Sequence, residues 1–285
     1  MLELSGWGDI LRGIVMLYWL AGASLFYFSV KKSSTRIGKV LSGTIVFFIF
    51  GLFPLKWQIE HALAARDHKA RLERAEAIFN ERCKTAGERI YRTVEGVDGI
   101  MLMKLRQGYS AYDQGATDPY GSVGEYGHGE DYILSFFLGR NDGGWLDDSS
   151  RKNGYSYVDV KDAFDGLRYR YRAYWWRDPK WHEKTASILR IRRAPTSDPE
   201  PRYGVDYEDL TTPDERALWV AGGVLKVVDM RTNEILAERI GFMMDRGQGA
   251  NIATRQPWSH AKEYACPRPA PSRDLVEKVL KIKEK

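Results

Sequence analysis

The stretch with the most chemical potential is His128-Gly129-Glu130-Asp131. A histidine beside carboxylates on a loop is raw material for general acid–base catalysis. No nucleophile or third partner stands at a recognisable spacing, so a polar surface loop is the preferred reading. Asp245-Arg246-Gly247-Gln248-Gly249 comes second. Two glycines beside an arginine let backbone amides meet an anion, and a plain turn after a strand is the simpler alternative. His61 and His68 are seven apart on one helix face. Two imidazoles fall short of the three or four ligands a metal site needs. The chain has no G-x-S-x-G elbow, no phosphate-binding G-x-x-x-x-G-K-[ST] loop, no H-E-x-x-H and no G-x-G-x-x-G. No catalytic residue, metal ligand set or cofactor is therefore expected.

Recognition is better represented than catalysis. Residues 167–175 read LRYRYRAYW, with Leu167, Tyr169, Tyr171, Ala173 and Trp175 alternating with Arg168, Arg170, Arg172 and Tyr174. A period of two makes a strand with an apolar face and a basic face. SILRIRR at 187–193 is a partner strand with Leu189 and Ile191 inward. Together their basic faces make a local positive surface. One reading is solvated arginines, and the sharper one is a docking face for an acidic partner or anionic headgroups. Arg168, Arg170, Arg172, Trp175 and Trp176 are the candidate partner-binding residues. Trp175, Trp176 and Trp181 cluster with Tyr169, Tyr171 and Tyr174, a density usual for a core or a membrane-surface contact.

These residues need a scaffold, and the chain begins with an apolar one. Residues 13–30 and 40–55 are stretches of 18 and 16 residues without a charge. Crossing the hydrocarbon takes roughly 20 residues, with about 17 the minimum. Lys56 and Trp57 extend the second stretch to the headgroups. The nine residues KKSSTRIGK (31–39) join them, so a helical hairpin over 13–30 and 40–57 is expected. A signal peptide followed by a core helix is the competing reading, but Glu3 and Asp9 replace a basic leader. The basic loop places itself in the cytoplasm and both termini outside.

Cys83 and Cys266 are the two cysteines. In an oxidising compartment two lone cysteines of an exported domain usually pair, and in the cytosol they stay unrelated buried thiols. The outward orientation favours the pair, which would fasten the C-terminal segment to the start of the domain.

The rest of the chain is a soluble domain. A charged helix over 58–87 carries a stripe of Ile59, Leu63, Ala70, Ala77, Ile78, Cys83 and Ala86. Segments 88–94 and 99–106 are expected to form a hairpin. YILSFFL (132–138) is a candidate buried strand, YSYVDV (155–160) a short one, and 194–210 a proline-rich connection. Thr212-Pro213-Asp214-Glu215 is a capping-box helix start. Residues 224–230 and 234–244 form a second hairpin, and 272–285 an amphipathic helix. The fold class is α+β: an N-terminal two-helix transmembrane hairpin (1–57), a membrane-proximal helix (58–87), then a mainly antiparallel β domain with short helices (88–285).

Five basic and two acidic residues in 1–55 leave the remainder only +2 of the total +5. So small an excess makes nucleic acid an unsuitable partner.

The segments FNERCKTAGERIYRTVEGVDGIMLMKLR (79–106) and RYGVDYEDLTTPDERALWVAGGVLKVVDMRTNEILAERIGFMMDRGQG (202–249), with PW (257–258) and ACP (265–267), carry a resemblance. The chain resembles an uncharacterised family of proteobacterial inner-membrane-anchored proteins, some of them beside type VI secretion effector genes. The resemblance covers roughly 79–267, brings no assigned activity, and implies an immunity role. The expectation is a periplasmic binding protein held in the bilayer through residues 13–57. It engages another protein, which the implied immunity role would make a secreted toxin. The alternatives are a structural subunit of an envelope complex and an envelope hydrolase using His128, Glu130 or Asp131.

Overall fold

The computed structural model describes residues 5–32, 35–108, 110–125, 127–138, 154–176, 188–251 and 254–283. The chain divides into two compact units, Met1–Ala70 and Arg71–Lys285. Trp181 lies outside the described residues.

The first unit is helical: α1 (Ser5–Lys32), α2 (Arg36–Phe47), a π-helical stretch Phe48–Leu52 and the start of α3 (Phe53–Cys83). Gly13–Lys32 and the helix run starting at Arg36 are long and apolar enough to cross a membrane, with mean hydropathies of 1.6 and 1.8. Thr35 starts α2, its hydroxyl accepting from the Gly38 amide at 3.1 Å. The two helices meet where side chains are smallest. A Cβ on Gly22 would lie 3.0 Å from the Phe50 ring, and one on Gly43 would lie 3.2 Å from Phe26. Small residues let helices approach closely in an apolar solvent. The Tyr18 hydroxyl donates to the Ile49 carbonyl in the π stretch at 3.3 Å.

The second unit is α+β with a mainly antiparallel sheet. Its strands are β1 (Gly87–Ile90), β2 (Val94–Val97), β3 (Gly99–Leu102), β4 (Tyr157–Lys161), β5 (Arg168–Trp176), β6 (Ile188–Pro195), β7 (Tyr203–Asp209), β8 (Val220–Asp229), β9 (Glu234–Met244), β10 (Ala265–Cys266) and β11 (Leu280–Ile282). The main sheet runs β1-β9-β8-β7-β3-β4-β5-β6, with β10 also on β9. Only β3 pairs in parallel there, with β4 and β7. A second small sheet pairs β2 with β11.

Between the strands lie α4 (Pro119–Val123), α5 (Glu130–Ser135), α6 (Pro213–Ala217), α7 (Pro257–Ala261) and α8 (Ser272–Val279). The core packs Ile100, Val158, Val160, Val227 and Leu236 of the sheet against Ile133 of α5, Phe136 just after it, and Leu275, Val276 and Val279 of α8. Each such aliphatic contributes about 1.5–3 kcal/mol by leaving water.

Several expectations hold. The 224–244 hairpin forms as β8 and β9. The β5–β6 pair forms in full register, from Tyr169↔Pro195 to Trp176↔Ile188. Thr212 and Glu215 make the expected capping box.

Others are corrected. Segments 88–94 and 99–106 do not pair with each other. β1 joins β9, and β3 lies between β4 and β7, where it is buried throughout. The run 132–138 is not a strand. Tyr132, Ile133, Phe136 and Phe137 are buried at the spacing of one helix face, and Glu130 and Asp131 favour the helix start. The connection 194–210 contains β7, and the final helix stops at Val279 before β11. On α3 the stripe that packs is Leu72, Ala75, Ile78 and Phe79, against Leu218, Val220 and Met244, while Ala77 is exposed.

Cys83 and Cys266 are joined, with Cα atoms 5.6 Å apart and a sequence separation of 183. The bond fastens the last residue of α3 to β10, as the sequence led us to expect.

Candidate functional site, an arginine face on the sheet edge

The register of β4, β5 and β6 decides which arginines share a face. Asp159 stands opposite Arg170, and Arg172 opposite Arg192. Tyr174 faces Arg190. Directly opposed residues share one side of a sheet, so Arg168, Arg170, Arg172, Arg190 and Arg192 all project from the face opposite Tyr171 and Ala173. Tyr171 is buried in the core.

This face has a fixed base. Gly99 has no Cβ, and one built there would sit 2.5 Å from the Tyr157 ring. Tyr157 can therefore lie over the neighbouring strand. The Arg170 guanidinium stacks 4.0 Å above that ring. Arg170 also grips Asp159 with two bonds, 2.8 and 2.9 Å, and Asp198 at 2.6 Å. Its pKa is raised, first by the Asp159 hydrogen bond. Arg168 bonds Asp159 and the Asp198 carbonyl. Asp159 is fully buried, and the two arginine side chains are only 13% and 10% exposed. Arg168 and Arg170 are therefore internal cations with an internal anion, and not the open docking charges that alternation alone predicts.

The open charges are their neighbours. Among the described residues no carboxylate lies within ion-pairing distance of Arg172, Arg190 or Arg192. Arg190 stacks 4.0 Å over the Trp176 ring, which holds its guanidinium at the surface. Arg193, at the strand end, stacks 4.6 Å from Tyr169 and pairs with Asp162 at 3.3 Å. A groove of about 500 Å³ follows, lined by Arg172, Arg192, Arg193, Thr196 and Ser197 among others. Trp175 stands opposite Leu189 on the other face of the sheet, so only Trp176 joins the arginines.

A second charged cluster has the opposite character. Arg106, 3% exposed, bonds Asp118 at 2.6 Å and approaches Glu125 at 3.2 Å. The Glu125 contact is an ion pair without hydrogen-bond geometry, since Arg106 Nε has no bonded acceptor. Glu125 also accepts from the Ser272 amide at 3.1 Å and from its hydroxyl. Arg239 bonds Glu88 at 2.8 Å and the carbonyls of Ala270 and Pro271 at 2.9 and 3.0 Å. Arg106, Asp118, Glu125, Arg239 and Ser272 line a cavity of only about 10 Å³. Burial raises the pKa of Asp118 and Glu125 against the pull of Arg106.

The loop histidine borders this cluster. The Gly129 amide donates to the Arg106 carbonyl at 2.8 Å, and burial and Arg106 lower the His128 pKa. Glu130 and Asp131 begin α5. In the 245–249 loop the amides of Gly247 and Gly249 do meet an anion, at 3.1 and 2.8 Å, but it is the buried carboxylate of Asp245 itself. Arg255 completes that contact. His61 packs on Trp57, with ring centroids 4.2 Å apart. Among the described residues no group of three or more His, Cys, Asp or Glu is placed to hold a metal ion.

Sequence reasoning missed Asp159, Asp198 and the whole Arg106 cluster. Asp159 had a visible signal: a lone acid alternating with Val158 and Val160 falls on the arginine face. Compared with known proteins, the chain matches no family model, no curated protein and no solved structure.

Proposed function

We propose that this chain is a membrane-anchored binding protein that engages an acidic protein partner through Arg172, Arg190 and Arg192. One observation carries the reading: three cations on a fixed face with no carboxylate of their own among the described residues. The two apolar helices serve as the anchor, crossing the bilayer as a hairpin with the basic 31–39 loop in the cytoplasm. The second unit then works in the periplasm, a placement supported by the loop charge and by the Cys83–Cys266 bond. The sequence resemblance to inner-membrane-anchored proteins extends this to an immunity role, with a secreted toxin as the partner.

The test is crosslinking in living cells with a photoreactive residue at Tyr174. Arg172→Glu, Arg190→Glu and Arg192→Glu combined are expected to abolish a specific adduct and sensitise the cells to neighbouring strains. An unchanged adduct and unchanged resistance would overturn the reading. A reporter fused after Lys285 tests orientation, and cytoplasmic activity would refute the periplasmic placement.

A structural subunit of an envelope complex is the second reading. An outward face of α2 with Ile37, Val40 and Leu41 favours it, each more than 60% exposed. Gly22 and Gly43, which could have served such packing, are filled from within the hairpin by Phe50 and Phe26.

A further inference from the structure

We infer that the outer edge of β6 takes up an extended acidic segment of the partner as an added strand. The inference rests on the proposed acidic partner and names how that partner is held.

The hydrogen-bond phase of β6 follows from one contact. The Thr196 amide donates to the Arg168 carbonyl at 3.0 Å. Residues 168 and 196 are thus a hydrogen-bonded pair, and in an antiparallel ladder such pairs recur every second residue. Ala194, Arg192 and Arg190 turn their amides and carbonyls towards β5. Leu189, Ile191 and Arg193 turn theirs outward. β6 ends the sheet order, so three consecutive outward positions have no strand beside them among the described residues. Pro195 has no amide and closes the ladder at that end.

The side chains select the occupant. Leu189 and Ile191 point to the core side, and Arg190 and Arg192 to the other. A second copy of this edge would align arginines with arginines, and like charges placed directly opposite oppose pairing. An extended segment with acids at alternate positions would set its carboxylates over Arg190 and Arg192. Its intervening apolar residues would extend the core face. Main-chain bonds would then supply affinity and the alternate side chains specificity.

The sheet's other end shows what a closed edge looks like. On β1, Glu88 is held by Arg239 and Lys278 at 2.7 and 2.8 Å, and Arg89 by Glu238 at 3.0 Å. Every one of those charges is matched within the fold, whereas Arg190 and Arg192 of β6 have no carboxylate partner among the described residues.

The test uses the full chain in lipid nanodiscs. The probes are a seven-residue peptide alternating valine and glutamate, and the same peptide with lysine for glutamate. The glutamate peptide is expected to bind and the lysine peptide not. Binding should slow amide exchange at Leu189, Ile191 and Arg193, while Arg190 and Arg192, already bonded to β5, change little. Arg190→Glu with Arg192→Glu should weaken the glutamate peptide by about tenfold or more. Ile191→Pro removes one outward amide and spares the β5 ladder, and should also cost about tenfold. Should that variant unfold, the exchange pattern of the wild type decides alone.

A glutamate peptide that does not bind overturns strand addition, as does one that leaves the three outward amides exchanging freely. So does concentration-dependent self-protection of those amides without peptide, which would mark a second copy as the occupant. Cellular crosslinking that survives Ile191→Pro but not arginine reversal rejects the added strand and leaves the acidic-partner reading standing. Crosslinking indifferent to the arginines rejects that reading itself.

Discussion

The two arginine clusters of the second unit use one residue type for opposite ends. Around Arg106 two carboxylates and two aromatic rings enclose the cation, with the Tyr207 ring centroid 4.1 Å away. On the β5–β6 face Asp159 satisfies Arg168 and Arg170, and the next arginines outward are left to solvent. What separates the closed cluster from the open face is therefore the supply of anions, not the number of cations. A buried ion must find its partner inside, because leaving water costs several kcal/mol. An exposed one can wait for a partner from outside. Substitutions at the closed cluster should accordingly register as stability, and those at the open face as binding.

The largest effect is expected at the closed cluster. Arg106→Met leaves Asp118 and Glu125 buried without their cation and should cost about 3–5 kcal/mol, read by denaturant unfolding. Partner crosslinking by folded molecules should persist. A loss below about 1 kcal/mol would show that water reaches the site and would dissolve the distinction. Next comes the bond that secures the C-terminal segment supplying Ser272 to Glu125. Replacing Cys83 and Cys266 with serine should cost about 2–4 kcal/mol by freeing a loop of 183 residues. Unfolding at the same denaturant concentration with and without reductant would argue that local packing alone holds the segment.

The two clusters were unequally legible in the sequence. The open face could be read because a strand's period of two is local: Arg168, Arg170 and Arg172 declare their side within nine residues. The Thr212–Glu215 capping box and the β8–β9 hairpin are local in the same way. The closed cluster joins positions 106, 118, 125, 239 and 272, which only long-range pairing brings together. Its one local mark is Asp118-Pro119, where the aspartate accepts from the Gly121 amide at 3.0 Å and the proline begins α4. Long-range pairing also defeated the expected hairpin of 88–106, since β1 and β3 find their partners in β9, β4 and β7. The apolar run 132–138 was ambiguous because composition matches a buried strand, while the burial of Tyr132, Ile133, Phe136 and Phe137 has helical spacing.

Acidity should separate the clusters more finely. Burial raises the folded-state pKa of Asp118 and Glu125. A raised folded value means the native state holds protons that the unfolded chain has released. The stability from these groups is therefore complete below the unfolded carboxylate value, roughly 4, and is lost as pH rises through the raised values. Glu125→Gln mimics the protonated acid. Its stability should match the wild type near the acidic end of that window and exceed it as pH approaches neutrality. A variant that grows relatively weaker as pH rises would reverse the sign and place Glu125 among the stabilising anions.

The smallest effect is the most diagnostic for the open face. Arg172 and Arg192 are direct cross-strand partners, and like charges so placed work against the strand pair. Arg172→Gln or Arg192→Gln should each stabilise the second unit by about 0.2–1 kcal/mol. The double substitution should gain little over either single one, since each already removes the repulsion. At about 1 M salt, where screening acts over roughly 3 Å, both gains should shrink towards zero. The same variants should bind the glutamate peptide less well. Gain of stability with loss of binding is the signature of a face kept repulsive for a partner's sake. If the substitutions instead destabilise, Arg172 and Arg192 belong with Arg168 and Arg170 as structural cations, and the boundary between the clusters moves outward by one row of the sheet.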